Sequence, residues 1–352
     1  MVILVIAVCI AVAFTRSGGA GSLANPSVTG GTGSFVNPSE ENVVTGQQAH
    51  VPEEAEIPEQ QGHVPEEAEI PEQRTHVPEE IKIPEQQAQG TTETDAPLQK
   101  IKPVDLETLK SKLVQFISEH NGRYGLYFKN LISGQSFGVC EKEPFTAAST
   151  TKLPMNLLLY RRVADGEINL DSKLTYLQED FEAGTGVIQS LPFGTEYTVR
   201  ETARLSIVFS DNCGINMIIR LLGVENIRKY MQDLGGTIQY ERGHSSCPYD
   251  LALYAEELYR CYQQTPDLAG LLMGDLQNTE WNDRINRLLP ADVKVPHKIG
   301  SSPGVCNDVG IVFASEPYVL AVMSDGVAQD AAADVIAQLS KRIYDAIENS
   351  GN

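Results

Sequence analysis

Basic side chains are scarce in this 352-residue chain: 27 Lys and Arg stand against 47 Asp and Glu, a formal net charge of −20. No basic stripe is present that could neutralise phosphates, which excludes nucleic acid as a partner. Long apolar runs are lacking too. The longest, Val2–Phe14, falls short of the roughly 20 residues that a membrane-spanning helix needs. No basic segment precedes it, as one would in a signal peptide. Residues 1–16 are still read as an export or membrane-anchor segment, because the polar sequence after them offers nothing for a buried strand or helix to pack against. Lipid attachment at Cys9 has little support, since Val8 stands where such a site wants a small residue.

Cysteines are few and irregularly spaced. Five of the six lie in the C-terminal part, at Cys140, Cys213, Cys247, Cys261 and Cys306. None has the C-x-x-C spacing of a zinc site, so no metal or other cofactor is expected. Aromatic and bulky apolar residues are few in 17–103. There His-Val-Pro-Glu-Glu recurs at His50, His63 and His76, and between His50 and Gln87 eleven Glu face only Arg74 and Lys82. Such units cannot bury enough surface to fold, and their like charges hold them extended. They are read as a disordered acidic spacer. Residues 104–352 have ordinary globular composition and are read as one large domain.

That domain opens with a predicted amphipathic helix, capped by Asp105 and carrying Leu106, Leu109, Leu113 and Phe116 at helical spacing. Arg123–Leu131 and Gln135–Glu141 read as a hairpin around Ser133-Gly134. Asn307–Ala314 and Tyr318–Met323 read as strands, followed by a helix with Ile336, Leu339, Ile343 and Ile347 on one face. Strands at both ends of a long helical middle predict one mixed sheet, with the first and last helices on one face and the helical part on the other.

Three short strings carry chemistry. Ser149-Thr150-Thr151-Lys152 opens a stretch that is apolar nearly all round, through Leu153, Met155, Leu157, Leu158 and Leu159. A helix without a polar face belongs in the interior, yet its start places a serine and a lysine three residues apart, on one side. The free N–H groups of a helix start also suit a developing oxyanion. Pro154 cannot donate to the first turn, which predicts irregular geometry there. Ser210-Asp211-Asn212 falls between two amphipathic helices, the first opened by a capping box at Thr198 and Glu201. Lys298-Ile299-Gly300 falls in a strand over 293–301, with Gly300 allowing close backbone approach by a substrate. His297, its neighbour, is expected to face away from Lys298.

Taken singly, these strings are an N-cap serine beside a surface lysine, a turn, and an exposed strand lysine. Taken in order, they supply a nucleophile, a base, a proton relay and a cationic anchor, the inventory of a serine acyl-transfer enzyme. The set resembles the penicillin-recognising serine hydrolases, above all the class A β-lactamases. Asn307-Asp308-Val309 and the Leu222-Gly223 that closes a helix add to the likeness, which covers about residues 104–350.

The resemblance implies an α/β fold: a three-layer α/β/α sandwich with a mostly antiparallel sheet and a helical subdomain. It implies Ser149 as the acylated nucleophile, Lys152 as its base and Ser210 as the relay to the leaving nitrogen. Asn212 would contact the substrate amide. Lys298 would attract the substrate carboxylate and, as a second cation, depress the pKa of Lys152. The N–H groups of Ser149 and Ser301 would form the oxyanion hole. The implied substrate is a β-lactam or a peptidoglycan-derived small molecule. The protein is expected to act as a monomer, at the outer face of the cell membrane or secreted.

Two departures bear on turnover. The family's hydroxyl residue in the third string is replaced by Ile299, with Ser301 and Ser302 close by. The Glu-x-x-Leu-Asn loop, whose Glu activates the deacylating water, has no counterpart between Asn212 and Lys298. The glutamates there are Glu225, Glu241, Glu256, Glu257 and Glu280. His244 reads as a solvated loop histidine ahead of a substitute base. The expectation is therefore acylation on Ser149 with slow deacylation. The alternatives are a D,D-peptidase or esterase on cell-wall-like substrates, and a non-catalytic domain that binds or senses β-lactams or cell-wall fragments.

Overall fold

The computed structural model describes residues 104–238 and 245–350. The N-terminal segment, the acidic repeats and the stretch with Glu241 and His244 lie outside the described residues. Helix α1 (Leu106–Ser118) leads into the hairpin β1 (Arg123–Asn130) and β2 (Ser136–Val139). After the short β3 (Phe145–Thr146), a 3-10 turn (Ala148–Thr151) runs into α2 (Lys152–Ala164). Strands β4 (Lys173–Thr175) and β5 (Glu196–Thr198) form a small ladder before α3 (Val199–Val208), α4 (Asn212–Leu222) and α5 (Val224–Asp233). Strand β6 (Ser245–Ser246) pairs with β3, and α6 (Pro248–Gln264) and α7 (Pro266–Gln277) complete the helical part. The chain closes with β7 (His297–Ser302), β8 (Val305–Val312), β9 (Tyr318–Asp325) and α8 (Gln329–Ser350).

The five long strands lie in the order β2-β1-β9-β8-β7. The pattern of elements predicted a mixed sheet, but every pairing in it is antiparallel. For the last three strands the reason is connection length. Strands β7, β8 and β9 follow one another through short turns, whereas a parallel crossover needs a dozen or more residues.

Alternation along β9 divides the interior in two. Tyr318, Leu320 and Val322 join a core with Leu113, Phe128, Ile336, Leu339 and Ile343, beneath α1 and α8. Val319, Ala321 and Met323 join the other core, with Leu153, Leu159, Ile207, Ile218 and Leu251 of the helical part. Both faces of the sheet are thus covered, which gives the three layers. The predicted helix ends hold: the Asp105 carboxylate accepts from Thr108 N at 3.0 Å, and the Thr198–Glu201 capping box is formed.

Helix α2 is the centre of the helical part. Nine consecutive residues, Lys152 through Tyr160, are buried, as its lack of a polar face predicted. Trimming one of its leucines to alanine, at Leu159 for example, would cost about 2–5 kcal/mol. That packing anchors the polar end at which Ser149 and Lys152 stand.

Candidate active site

The predicted irregularity at the start of α2 is a 3-10 turn. Ala148 enters it at φ 48°, a left-handed conformation that costs a non-glycine residue about 1–3 kcal/mol. Strong local ties hold it there. The Thr150 hydroxyl donates to the Ala147 carbonyl at 2.7 Å. From β8, Asn307 Nδ2 donates to the Thr146 and Ala147 carbonyls at 2.8 and 3.2 Å, while Asn307 Oδ1 accepts from Ser324 N at 2.9 Å. The turn that carries Ser149 is therefore pinned to the sheet.

Gly300 faces the same turn. A Cβ there would run into the Ala147 carbonyl and stand 3.1 Å from Thr150 N. Close approach was expected from a substrate. The group that makes it is the protein's own backbone, and this lets β7 lie against the Ser149 turn.

Lys152 is buried, and its ammonium is fully engaged. Nζ donates to the Ser210 carbonyl at 2.5 Å, to Asn212 Oδ1 at 2.8 Å and to Ser210 Oγ at 3.2 Å. Ser210 itself has φ 49°. Next to it, Asp211 caps α4: one carboxylate oxygen accepts from Gly214 N at 2.9 Å, the other from Val187 N and Ile188 N at 2.6 and 2.9 Å. Burial lowers the Lys152 pKa to about 8, while Asp211, Glu182 and Cys213 pull it back up.

Lys298 approaches Ser210 from the sheet side. It is fully buried, with Nζ 3.0 Å from Ser210 Oγ and 3.1 Å from the Ile299 carbonyl. Ser210 Oγ thus sits between two lysines. Burial and then the neighbouring Lys152 hold the Lys298 pKa well below the usual lysine range. The sequence led to the expectation that Lys298 would depress Lys152. At both lysines burial is the leading cause of the lowering, and the repulsion between the two cations acts with it. His297 faces away, as predicted, with Nδ1 at 3.0 Å from both oxygens of Asp308.

Sequence reasoning missed Arg284. This buried guanidinium donates to the Asn307 carbonyl at 2.6 Å, the Gly300 carbonyl at 3.2 Å and Ser301 Oγ at 2.6 Å. It clamps β7 to β8 at the residues beside the cleft. No spacing announces it, because it falls in an aperiodic stretch between α7 and β7.

The cleft between these elements has a volume of about 270 Å³. Ser149, Lys152, Asn212 and Ser301 line it, together with Glu182 and Ser302. Ser210 and Lys298 stand behind, joined to it through their hydrogen bonds. The residues predicted from three distant strings therefore meet at one place. Glu182, which sequence reading also passed over, accepts from Asn216 Nδ2 at 3.0 Å. The described glutamates between Asn212 and Lys298 are elsewhere: Glu256 pairs with Lys129, Glu257 with Arg260, Glu225 with Arg228, and Glu280 is exposed. Among the described residues, no group of three or more His, Cys, Asp or Glu is placed to hold a metal ion.

Residues 108–347 match the sequence pattern of the beta-lactamase enzyme family. The chain belongs to that family. Family membership makes it a serine hydrolase related to class A, with the β-lactamase/transpeptidase-like fold. It is 28% identical over 243 residues to a β-lactamase of Streptomyces albus G, covering 60% of this chain and 75% of that one. β-Lactamase 3 of Bacillus cereus is 24% identical, over 65% of this chain and 78% of its own. Among solved structures, a PBP-A variant in its acyl-enzyme complex with penicillin G superimposes with a TM-score of 0.66 and 28% identity. That match covers 69% of this chain and 97% of the other. A β-lactamase of Sphaerobacter thermophilus, at 24% identity and a TM-score of 0.62, shares the fold.

Proposed function

We propose that this β-lactamase-family protein is acylated on Ser149 by β-lactams and releases the product slowly. The observation that carries the reading is the setting of Lys152: a buried amine held by Ser210 and Asn212, with its pKa lowered to about 8, in the cleft that Ser149 lines. A lysine so depressed has an appreciable neutral fraction near neutral pH and can act as a general base.

In the proposed reaction the Lys152 amine takes the Ser149 proton as Oγ attacks the lactam carbonyl. The Ser149 and Ser301 N–H groups receive the oxyanion. The leaving nitrogen takes its proton from Ser210, whose hydroxyl is then resupplied from the lysines on either side of it. Asn212 contacts the substrate amide. Lys298 and Arg284 set a positive field at the Gly300–Ser302 edge, suited to the substrate carboxylate, where Ser301 and Ser302 stand in for the hydroxyl that Ile299 lacks.

Slow deacylation is supported by the described glutamates between Asn212 and Lys298, none of which lines the cleft, and by Glu182, which does line it but is engaged by Asn216. A missing general base costs about 10²–10⁴-fold in the step it serves. The apolar run over 2–14 supports export or membrane anchoring of the domain. Labelling with a fluorescent penicillin tests the reading. A band that unlabelled penicillin G competes away, and that is lost in Ser149→Ala, supports it. No labelling of the native protein refutes it.

A further inference from the structure

Residues 184–186, Gly-Thr-Gly, form a strap over the Ser210 loop that no established role accounts for. The Thr185 hydroxyl donates to the Ser210 carbonyl at 2.7 Å, and the Thr185 carbonyl accepts from Asn212 N at 3.1 Å. One residue therefore grips the loop on both sides of Asp211. The flanking glycines make the approach possible. A Cβ on Gly186, at φ 108°, would overlap the Asp211 carboxyl, and one on Gly184, at φ 141°, would stand 2.8 Å from Asn212 Nδ2. Gln189 braces the strap, donating to the Gly184 and Gly186 carbonyls at 2.7 and 2.9 Å.

The Ser210 carbonyl is the same oxygen that accepts from Lys152 Nζ at 2.5 Å. We propose that Thr185 is a positioning residue for the general base, sharing the Ser210 carbonyl with Lys152 and thereby setting both the place and the proton affinity of its amine. A carbonyl oxygen has two lone pairs. With the threonine hydroxyl on one of them, the oxygen is a weaker acceptor for the ammonium. The same hydroxyl holds Ser210 in its left-handed conformation, φ 49°, so that Oγ stays between the two lysines. The other titratable groups that act on Lys152 are Asp211, Glu182 and Cys213, which favour its protonated form, and Lys298. None of them shares the Ser210 carbonyl.

The inference rests on Lys152 serving as the base, and two readouts separate the claims. The first is acylation by penicillin G against pH, for the native protein, Thr185→Val and Thr185→Ser. The second is the titration of Lys152 itself, followed by NMR on protein with ¹³C-labelled lysine, which needs no reaction. Valine keeps the shape and removes the donor. Thr185→Val is expected to acylate about tenfold more slowly, the scale of a small misplacement at a reacting centre. Its Lys152 midpoint should move up by about half a pH unit, since the freed lone pair holds the ammonium better. Thr185→Ser should restore both. An unchanged Lys152 midpoint in Thr185→Val overturns the inference, whether or not the native protein acylates. So does a Thr185→Ser variant that behaves like Thr185→Val. Failure of the native protein to acylate overturns the proposed function, and the titration still decides the role of Thr185.

Discussion

Lys152 and Ser210 meet through two contacts of unequal kind. The lysine Nζ donates to the Ser210 carbonyl at 2.5 Å and reaches the Ser210 hydroxyl at 3.2 Å. The main-chain contact fixes the amine. The longer one leaves a route by which a proton passes to Ser210 Oγ, which Lys298 approaches from its other side at 3.0 Å.

The pH dependence of acylation follows from that amine. Lys152 must be neutral to take the Ser149 proton, and burial lowers its pKa to about 8. Below that value the neutral fraction falls about tenfold per pH unit. The acylation rate should therefore rise with pH and level off above about pH 8. Stopped-flow measurement with a chromogenic cephalosporin checks the profile; a rate already level at about pH 6 would show that Lys152 is not the base.

Removing the donors should slow acylation without unfolding the protein. Lys152→Ala is expected to lose about 10²–10⁴-fold in the acylation rate constant, the usual contribution of a general base. Ser210→Ala should lose less when the leaving group is a good one, because its task falls on the leaving nitrogen. Comparing a penicillin with an activated thioester separates the two. Equal losses on both substrates would argue against a relay role for Ser210.

Arg284 should matter to stability as well as to the cleft. It supplies the Gly300 and Asn307 carbonyls and the Ser301 hydroxyl with charged donors. Hydrogen bonds to charged groups contribute about 1.5–3 kcal/mol each. Arg284→Leu should therefore lose about 3 kcal/mol or more in urea unfolding, and release Ser301 from its position. A loss below about 1 kcal/mol would mean that water replaces the guanidinium.

Asp250 should anchor the chain leading to the undescribed stretch. It is buried in the first turn of α6, and its carboxylate accepts from Thr237 N and Oγ1 at 2.9 Å and from Ile238 N at 2.8 Å. Asp250→Ala leaves those donors without an acceptor, at a cost of about 2–4 kcal/mol. Thermal unfolding reads the loss. Hydrogen exchange should localise it to Thr237, Ile238 and the first turn of α6, and unchanged protection there would contradict the assignment.

What the sequence revealed and what it hid divide along physical lines. Side chains in regular elements repeat: Leu109, Leu113 and Phe116 announce α1, and the unbroken apolar run after Lys152 announces a buried α2. Ser149, Lys152 and Ser210 were legible because their chemistry depends on side-chain type and short spacing. Arg284 was not, since two of its three partners are main-chain carbonyls that any residue would supply, and it acts from a stretch without period. Lys298 was legible as the cationic anchor, but its full burial was not. Its burial is tolerable only because Ser210 Oγ and the Ile299 carbonyl receive it, and those partners are set by the fold. Thr185 lay between two glycines, a visible signal of close approach, but nothing local says that the loop approached is Ser210–Asn212. The antiparallel pairing of β7, β8 and β9 follows from the short turns joining them, whereas that of β1 with β9, distant in the chain, was open in the pattern of elements.

The most direct measurement is intact-protein mass spectrometry over time after mixing with penicillin G. The account predicts a stoichiometric adduct with the mass of one intact penicillin, mapped to Ser149 by peptide analysis. It should be absent in Ser149→Ala and persist long after free penicillin is removed. No adduct, an adduct that survives Ser149→Ala, or an acyl-enzyme that clears as fast as it forms would contradict it.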